Sequence, residues 1–349
     1  MTTPRSSVTI QDVAAHAGVS AMTVSRVINN HARVASATRV RVEQAITELG
    51  YVPNALARGL IQGRTRTIAL IVSDISNPFF TQIARGVEDV AQRNGYAVTL
   101  GNSDESTEKE RLYVNAMLSN RIDGLLIAAA GSDSRKTLDF ISQRNTRFVL
   151  IDRDVEGIQA DAVVGDSIGG ARILTEHLIR LGHRRIGLVT GPLDVSTARD
   201  RLQGYQEALR THSIEVDHTL VVESDYKRQG GFRAAHQLLA LPSGQRPSAV
   251  VASNNFMGVG LIEALREARL KVPDDIAVVC FDDLELASAL DPFLTVVAQP
   301  ARTFGTVATQ LLLERLGGAE SLPRRKIVLP PELIVRVSCG ARLPVETFS

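Results

Sequence analysis

A chain of 349 residues, 44% apolar and 22% charged, carries enough apolar mass for two or three buried cores. No run approaches the roughly 18 apolar residues of a membrane span. Two cysteines, Cys280 and Cys339, argue against a disulfide framework or a cysteine-built metal site. The net charge of +1 conceals an asymmetry: residues 1–66 carry eight arginines against three acids, a net of +5, and the remainder sums to −4. A basic head on a mildly acidic body is the electrostatic footprint of nucleic-acid binding. All of the head's positive charge is arginine, whose planar fork suits phosphate and guanine.

Residues 8–50 read as three short helices. Thr9-Ile-Gln-Asp12 has the form of a capping box. Ile10, Val13, Ala14 and Ala17 then share one helical face. Gly18 allows a sharp turn, and Ser20 can cap a second helix, Ala21–Ile28, with Val24, Val27 and Ile28 inward. A third helix near Ala37–Leu49 buries Val42, Ala45, Ile46 and Leu49 and stops at Gly50. Two helices joined by a four-residue turn and braced by a third make a helix-turn-helix plan. The outer face of the second helix carries Ala21, Met22, Ser25, Arg26 and Asn29, which can read base edges, where a solvated face would carry Glu and Lys.

The segment from Pro53 to Leu60 could make two helical turns. Isolated helices shorter than about 12–15 residues are marginal in water, so a linker or a hinge that folds only on DNA is expected. From Thr67 onward, about ten short apolar runs alternate with amphipathic helices, which implies parallel sheets buried on both faces. Ten strands are too many for one comfortable doubly wound sheet, so two subdomains with a cleft between them are expected. Ligands of such sheets sit at the carboxyl ends of strands. There the chain collects Ser73-Asp74, Asp152-Arg153, Asp166, Ser253-Asn254-Asn255 and Asp282-Asp283.

The stretch from Val8 to Leu60 resembles, almost position by position, the head and hinge of the lac and galactose repressor family. The core is similar to the same family, and so to periplasmic sugar-binding proteins, through DISNPFF (74–80), RIDGLLI (121–127), LGHRRIGLVTGP (181–192), RLQGY (201–205), VPDDIAVVCFDD (272–283) and LTVVAQP (294–300). The resemblance implies a small all-α helix-turn-helix head (1–52), a hinge helix and linker (53–66), and an α/β core of two Rossmann-like subdomains (67–340). An N-subdomain at about 67–164 and 296–323 and a C-subdomain at about 165–295 and 324–340 are expected.

The same resemblance implies major-groove base contacts from Ala21, Met22 and Arg26. Thr9, Ser20, Thr23, Ser25, Asn29, Arg33 and Tyr51 would lie against phosphates or brace the backbone. Asn54, at the start of the hinge, would also bind DNA, Ala57 would enter the minor groove, and Leu60 would be the apolar wedge. In the core it implies an effector site of Asp74, Asn77, Phe79, Phe80, Asp152, Arg153, Ser196, Arg199, Arg201, Tyr226, Asn254 and Asp282, suited to a polyhydroxylated ligand. Each has a plainer reading: Phe79 or Phe80 as core, Asp282 as a turn cap, Arg199 as surface. The chain departs from the family at Asn255, where an acid is common, with Phe256 and Gly258 following. It also has Val195 where purine-binding members carry Arg.

The implied function is a cytoplasmic, DNA-binding repressor, a homodimer on a palindromic operator, controlled by a sugar-like effector and needing no cofactor or metal. A purine or phosphoprotein co-regulator is the alternative, and a solute receptor a more distant one. Neither a signal-peptide h-region nor a heptad tail is visible, which favours the cytoplasm and a dimer over a tetramer. None of the sequence signatures of a Ser hydrolase, Walker loop, zincin or dinucleotide fold is present, so catalysis is not expected.

Overall fold

The computed structural model describes residues 8–29, 33–52, 64–318 and 322–342. It divides into two compact units, residues 1–65 and 66–349.

The head unit holds α1 (Ile10–Ala17), α2 (Ala21–Ile28) and α3 (Ser36–Leu49). Thr9 and Asp12 form the reciprocal box expected of them, the Thr9 amide donating to Asp12 Oδ2 at 2.8 Å and the Asp12 amide to Thr9 Oγ1 at 3.3 Å. Gly18 and Gly50 end α1 and α3 in the left-handed region, at φ 64° and 60°, where a Cβ would be strained. Val13, Ala14, Ala17, Val24, Val27, Val42 and Ala45 are buried together, with Ile10, Ile28, Ile46 and Leu49 packed around them.

The core unit contains twelve strands among the described residues, in two six-stranded sheets. The first sheet runs β11-β5-β4-β3-β1-β2, with β1 Thr67–Val72, β2 Ala97–Asn102, β3 Gly124–Ile127, β4 Arg147–Asp152, β5 Asp161–Gly165 and β11 Lys326–Leu329. The second runs β12-β10-β9-β8-β6-β7, with β6 Ile186–Thr190, β7 Val221–Glu223, β8 Ala249–Ala252, β9 Ala277–Phe281, β10 Thr295–Ala298 and β12 Glu332–Ile334. Every pairing is parallel except β10 with β12.

Burial on both faces explains the unbroken apolar runs. Ile68, Leu70 and Val72 of β1 enter one core cluster, while Ala69 and Ile71 enter another on the opposite face. Helices Pro78–Arg93 and Ala301–Leu316 pack on the first of these faces and cross closely. A Cβ on Gly86 would lie 2.1 Å from the Arg302 carbonyl oxygen, and one on Gly305 2.1 Å from that of Ile83. Those two glycines are therefore fixed by backbone approach.

The chain crosses between sheets three times, and two crossings differ from the expected boundaries. Thr295–Ala298 pairs with β9 and belongs to the second sheet, so that crossing follows residue 298 instead of falling at 296. Lys326–Leu329 pairs with β5 in the first sheet, so the last crossing follows residue 329 instead of 323. Both β11 and β12 are edge strands of three or four half-exposed residues, too short for their alternation to register in the sequence.

Candidate functional site

In the head, Met22 and Arg26 are exposed one helical turn apart on α2, with Ala21, Ser25 and Asn29 half-buried beside them. The framework hydroxyls are engaged locally. Ser20 Oγ accepts from the Thr23 amide at 3.2 Å and lies 2.9 Å from Thr23 Oγ1. Thr9 is held by Asp12, and Asn29 Nδ2 donates to Ser25 Oγ at 3.4 Å. Arg33 is exposed and Tyr51 packs against the head core. Asn54, Ala57 and Leu60 lie outside the described residues.

In the core, the carboxyl ends of both sheets converge. Asp152 ends β4 and Asp282 follows β9, at φ 64° and 66°, and Tyr226 shares that left-handed conformation at φ 60°. Non-glycine residues adopt it seldom, and such strain concentrates at functional sites. Asp152, Arg153, Arg201 and Asp282 are all 6% exposed or less. Arg153 makes a two-pronged bond to Glu105 at 2.6 and 2.7 Å and a third to the Ala129 carbonyl at 3.1 Å. Burial works against its charge, but the Glu105 ion pair more than offsets this and raises its pKa. Arg201 donates to the Ser253 carbonyl and lies 4.0 Å from the centre of the Phe281 ring.

Burial pushes the Asp152 carboxyl up to about 6, against the pull of Arg153 and Arg201. Burial raises Asp282 too, against Arg201 and a 2.8 Å bond donated by Gln299. Asp152 therefore costs the fold most at neutral pH. Its folded pKa exceeds the ordinary 3.8, so stability falls as pH rises from about 4 to about 6 and this burden stays in full above that range.

Asn77 and Asn255 join the two halves of the core with a reciprocal pair of buried amide bonds, 3.0 and 3.1 Å long. Asn77 Oδ1 also caps its own helix start, accepting from Phe79 N at 3.0 Å, and Asn255 Oδ1 accepts from Phe256 N at 2.7 Å. An aspartate at 255 could accept from Asn77 but not donate back. Asn254 caps the helix Asn255–Glu267 through the Met257 amide and donates to the Tyr226 carbonyl.

Ten of the twelve expected core residues line one cavity of about 20 Å³: Asp74, Asn77, Phe79, Phe80, Asp152, Arg153, Arg201, Tyr226, Asn254 and Asp282. Phe79 and Phe80 answer to both readings, since they pack edge-on into the first sheet's core and still line the cleft. Ser196 and Arg199 do not join them. Ser196 Oγ accepts from the Asp154 amide at 2.9 Å, and Arg199 is exposed with Nη1 on the Asp194 carbonyl. Both line a neighbouring cavity instead. The helix Ser196–Thr211 begins so that Thr197, one residue on, faces the cleft and bonds Tyr226 Oη at 3.0 Å.

Glu105, Thr197 and Lys227 complete the lining and were not anticipated. Glu105 has a signal in the sequence: a buried arginine needs an acid, and Arg153 falls at a strand end. Lys227, paired with Asp104 at 3.0 Å, has none. Among the described residues no cluster of His, Cys, Asp or Glu could hold a metal ion, and no helix is long and apolar enough to cross a membrane.

Residues 9–54 match the model of the bacterial regulatory proteins of the lacI family, and residues 175–339 match a periplasmic binding protein-like domain. The chain is 37% identical over 332 residues to the ribose operon repressor of Escherichia coli, covering 95% of this chain and 99% of that one. This chain belongs to the lacI family. It is also 35% identical over 337 residues to the HTH-type transcriptional repressor PurR of Aliivibrio fischeri, covering 96% and 99% of the two chains. A lac repressor dimer bound to operator and the anti-inducer ONPF superimposes with a TM-score of 0.83 at 31% identity, over 96% of this chain and all of that one. As a lacI-family member the chain is a DNA-binding transcriptional repressor with a periplasmic-binding-protein-like core, and not an enzyme.

Proposed function

We propose that this lacI-family repressor binds a two-fold symmetric operator as a homodimer in the cytoplasm and that a sugar in the core cleft sets its operator affinity. The observation that carries this reading is the set of buried ionic groups around Arg201. Asp152 and Asp282 flank it from the two sheets, and buried charges are costly unless hydrogen-bonded. A ligand rich in hydroxyls offers donors to the carboxylates and acceptors to the guanidinium, while Phe79, Phe80 and Tyr226 supply apolar faces. Val195 is buried and apolar, so it offers a purine no hydrogen bond. The Arg that the resemblance gives to purine-binding members at this position is therefore missing, which favours a sugar over a purine.

In the head, Arg26 is the α2 side chain able to make a bidentate base contact, with Ala21 and Met22 suited to thymine methyls. Exposed Leu100 on β2, Leu112 and Tyr113 on the helix Thr107–Ser119, and Leu286 and Leu290 further along the core supply apolar surface for a second copy. Sedimentation at micromolar concentration should give a dimer; a monomer would remove the symmetric-operator reading. Binding should also weaken by about three orders of magnitude between 50 and 200 mM salt, through release of counterions from several phosphate contacts.

The raised Asp152 pKa gives the sugar reading a pH signature. A ligand hydroxyl bonds more strongly to the Asp152 carboxylate than to the neutral acid, and with a pKa near 6 the carboxylate becomes the major form in the free protein as pH rises through that value. Binding should therefore release a proton and tighten as pH rises from 5 to 7. Calorimetry in buffers of different ionisation heat measures that proton, and uptake in its place would contradict the role given to Asp152.

A further inference from the structure

A second cavity, of about 220 Å³, adjoins the deep cleft, and Arg153 forms part of the wall of both. One wall comes from Gly131 and Ser132 after β3 and from residues 154–156 after β4; the facing wall comes from Asp194, Val195 and the start of the helix Ser196–Thr211. The cavity is thus a lateral extension of the cleft, bounded by both halves of the core. It holds room for on the order of ten waters, whereas the deep site, about 20 Å³ with the two halves tied by Asn77 and Asn255, must widen to admit a ring.

We propose that this extension is a second subsite and that the effector is a two-ring saccharide, its second ring lying between Arg135 and Arg199. The proposal rests on the sugar reading above and specifies the ligand's length. Three guanidiniums line the cavity, those of Arg135, Arg153 and Arg199, against three carboxylates, those of Asp154, Glu156 and Asp194. Equal numbers of opposite charge give no surplus positive potential to hold a phosphate. They do supply both donors and acceptors to the space, as the hydroxyls of a neutral ring require.

Several of these groups are already oriented. Asp194 accepts from the Ser132 amide at 3.2 Å across the cleft, and Asp154 is held by Lys326 at 2.6 Å. Gly131 leaves the space that Asp194 uses, since a Cβ there would lie 2.7 Å from its Oδ2. Arg135 Nη1 donates to the Glu156 carbonyl at 3.3 Å and Arg199 Nη1 to that of Asp194 at 3.2 Å. Each guanidinium has five N–H groups, so both retain donors for a ring. This arrangement gives Ser196 and Arg199 a place beside the deep site although neither lines it.

Calorimetry on the full-length protein tests the proposal with D-ribose, D-glucose, D-galactose, cellobiose, maltose, lactose, glucose 6-phosphate and hypoxanthine. One disaccharide should bind at least about tenfold more tightly than its component monosaccharide. Arg135→Ala and Glu156→Ala, both at exposed positions, should each weaken that disaccharide about tenfold. Monosaccharide binding and sugar-free operator binding should change less than about twofold. A monosaccharide that binds as well as every disaccharide, with both variants inert, overturns the second subsite. Preferential binding of glucose 6-phosphate overturns the neutral-ring assignment. Binding of hypoxanthine alone overturns the sugar reading itself, and the two failures are therefore distinguishable.

Discussion

Replacing Arg201 by alanine is expected to abolish the sugar response while leaving operator binding in place. Arg201 is 3% exposed and is the cation that offsets the burial of both Asp152 and Asp282. A charge-assisted hydrogen bond to such a group contributes about 1.5–3 kcal/mol. Losing the fork should therefore weaken the sugar by about a hundredfold or more. Removing one member of a buried ionic set costs about 3–5 kcal/mol of stability, so the variant should also melt earlier. The stability loss should be smaller at pH 5 than at pH 7.5, because Asp152, with its pKa near 6 in the intact protein, takes up a proton when Arg201 is absent. The head is a separate compact unit with its own core, so operator affinity without sugar should survive. Arg201→Lys keeps the charge but not the fork, and it should recover stability more than sugar affinity. Normal sugar binding by Arg201→Ala would remove Arg201 from the site.

The second large effect is expected on DNA. Arg26→Ala should cost about 1–3 kcal/mol per half-site if Arg26 reads a guanine through a bidentate contact, hence about 2–6 kcal/mol for a dimer on its operator. Affinity for random duplex should change far less, because phosphate contacts elsewhere in the head carry that binding. Arg26 is exposed on α2, away from the buried positions Val24 and Val27, so the head should keep its stability. Anisotropy titrations on operator and random duplex in parallel separate the outcomes. An equal loss on both duplexes would mean that Arg26 holds a phosphate and that sequence is read elsewhere.

The head was legible because its signals are local. Thr9-x-x-Asp12, Ser20 and the glycines after α1 and α3 act within a turn of themselves, and the structure places caps at each. The sheets were legible as apolar runs because burial on both faces removes alternation. Their edges were not, since β11 and β12 are short and half-exposed; the misplaced last crossing follows from those strands, and the other from cutting β10 before its end.

In the cleft, ten of twelve residues gather because each sits at a strand end or on a helix facing it. Ser196 and Thr197 show where such reasoning stops. A one-residue difference in where a helix begins turns a side chain by about 100°, and no pattern in GPLDVSTARD fixes that start. Glu105 comes from a loop whose approach depends on tertiary packing. The Asn77–Asn255 pair spans 178 positions, and only the departure at Asn255 marked it in the sequence.

Symmetric DNA recognition and a sugar cleft are proposed to work together in this one protein. Selection of bound duplexes from a random pool, run on the full-length protein with and without each sugar and sequenced, tests both halves at once. An enriched inverted repeat is expected, with recovery that changes by at least about tenfold with one sugar. Enrichment of an asymmetric site, or of a repeat whose recovery no sugar alters, would contradict it.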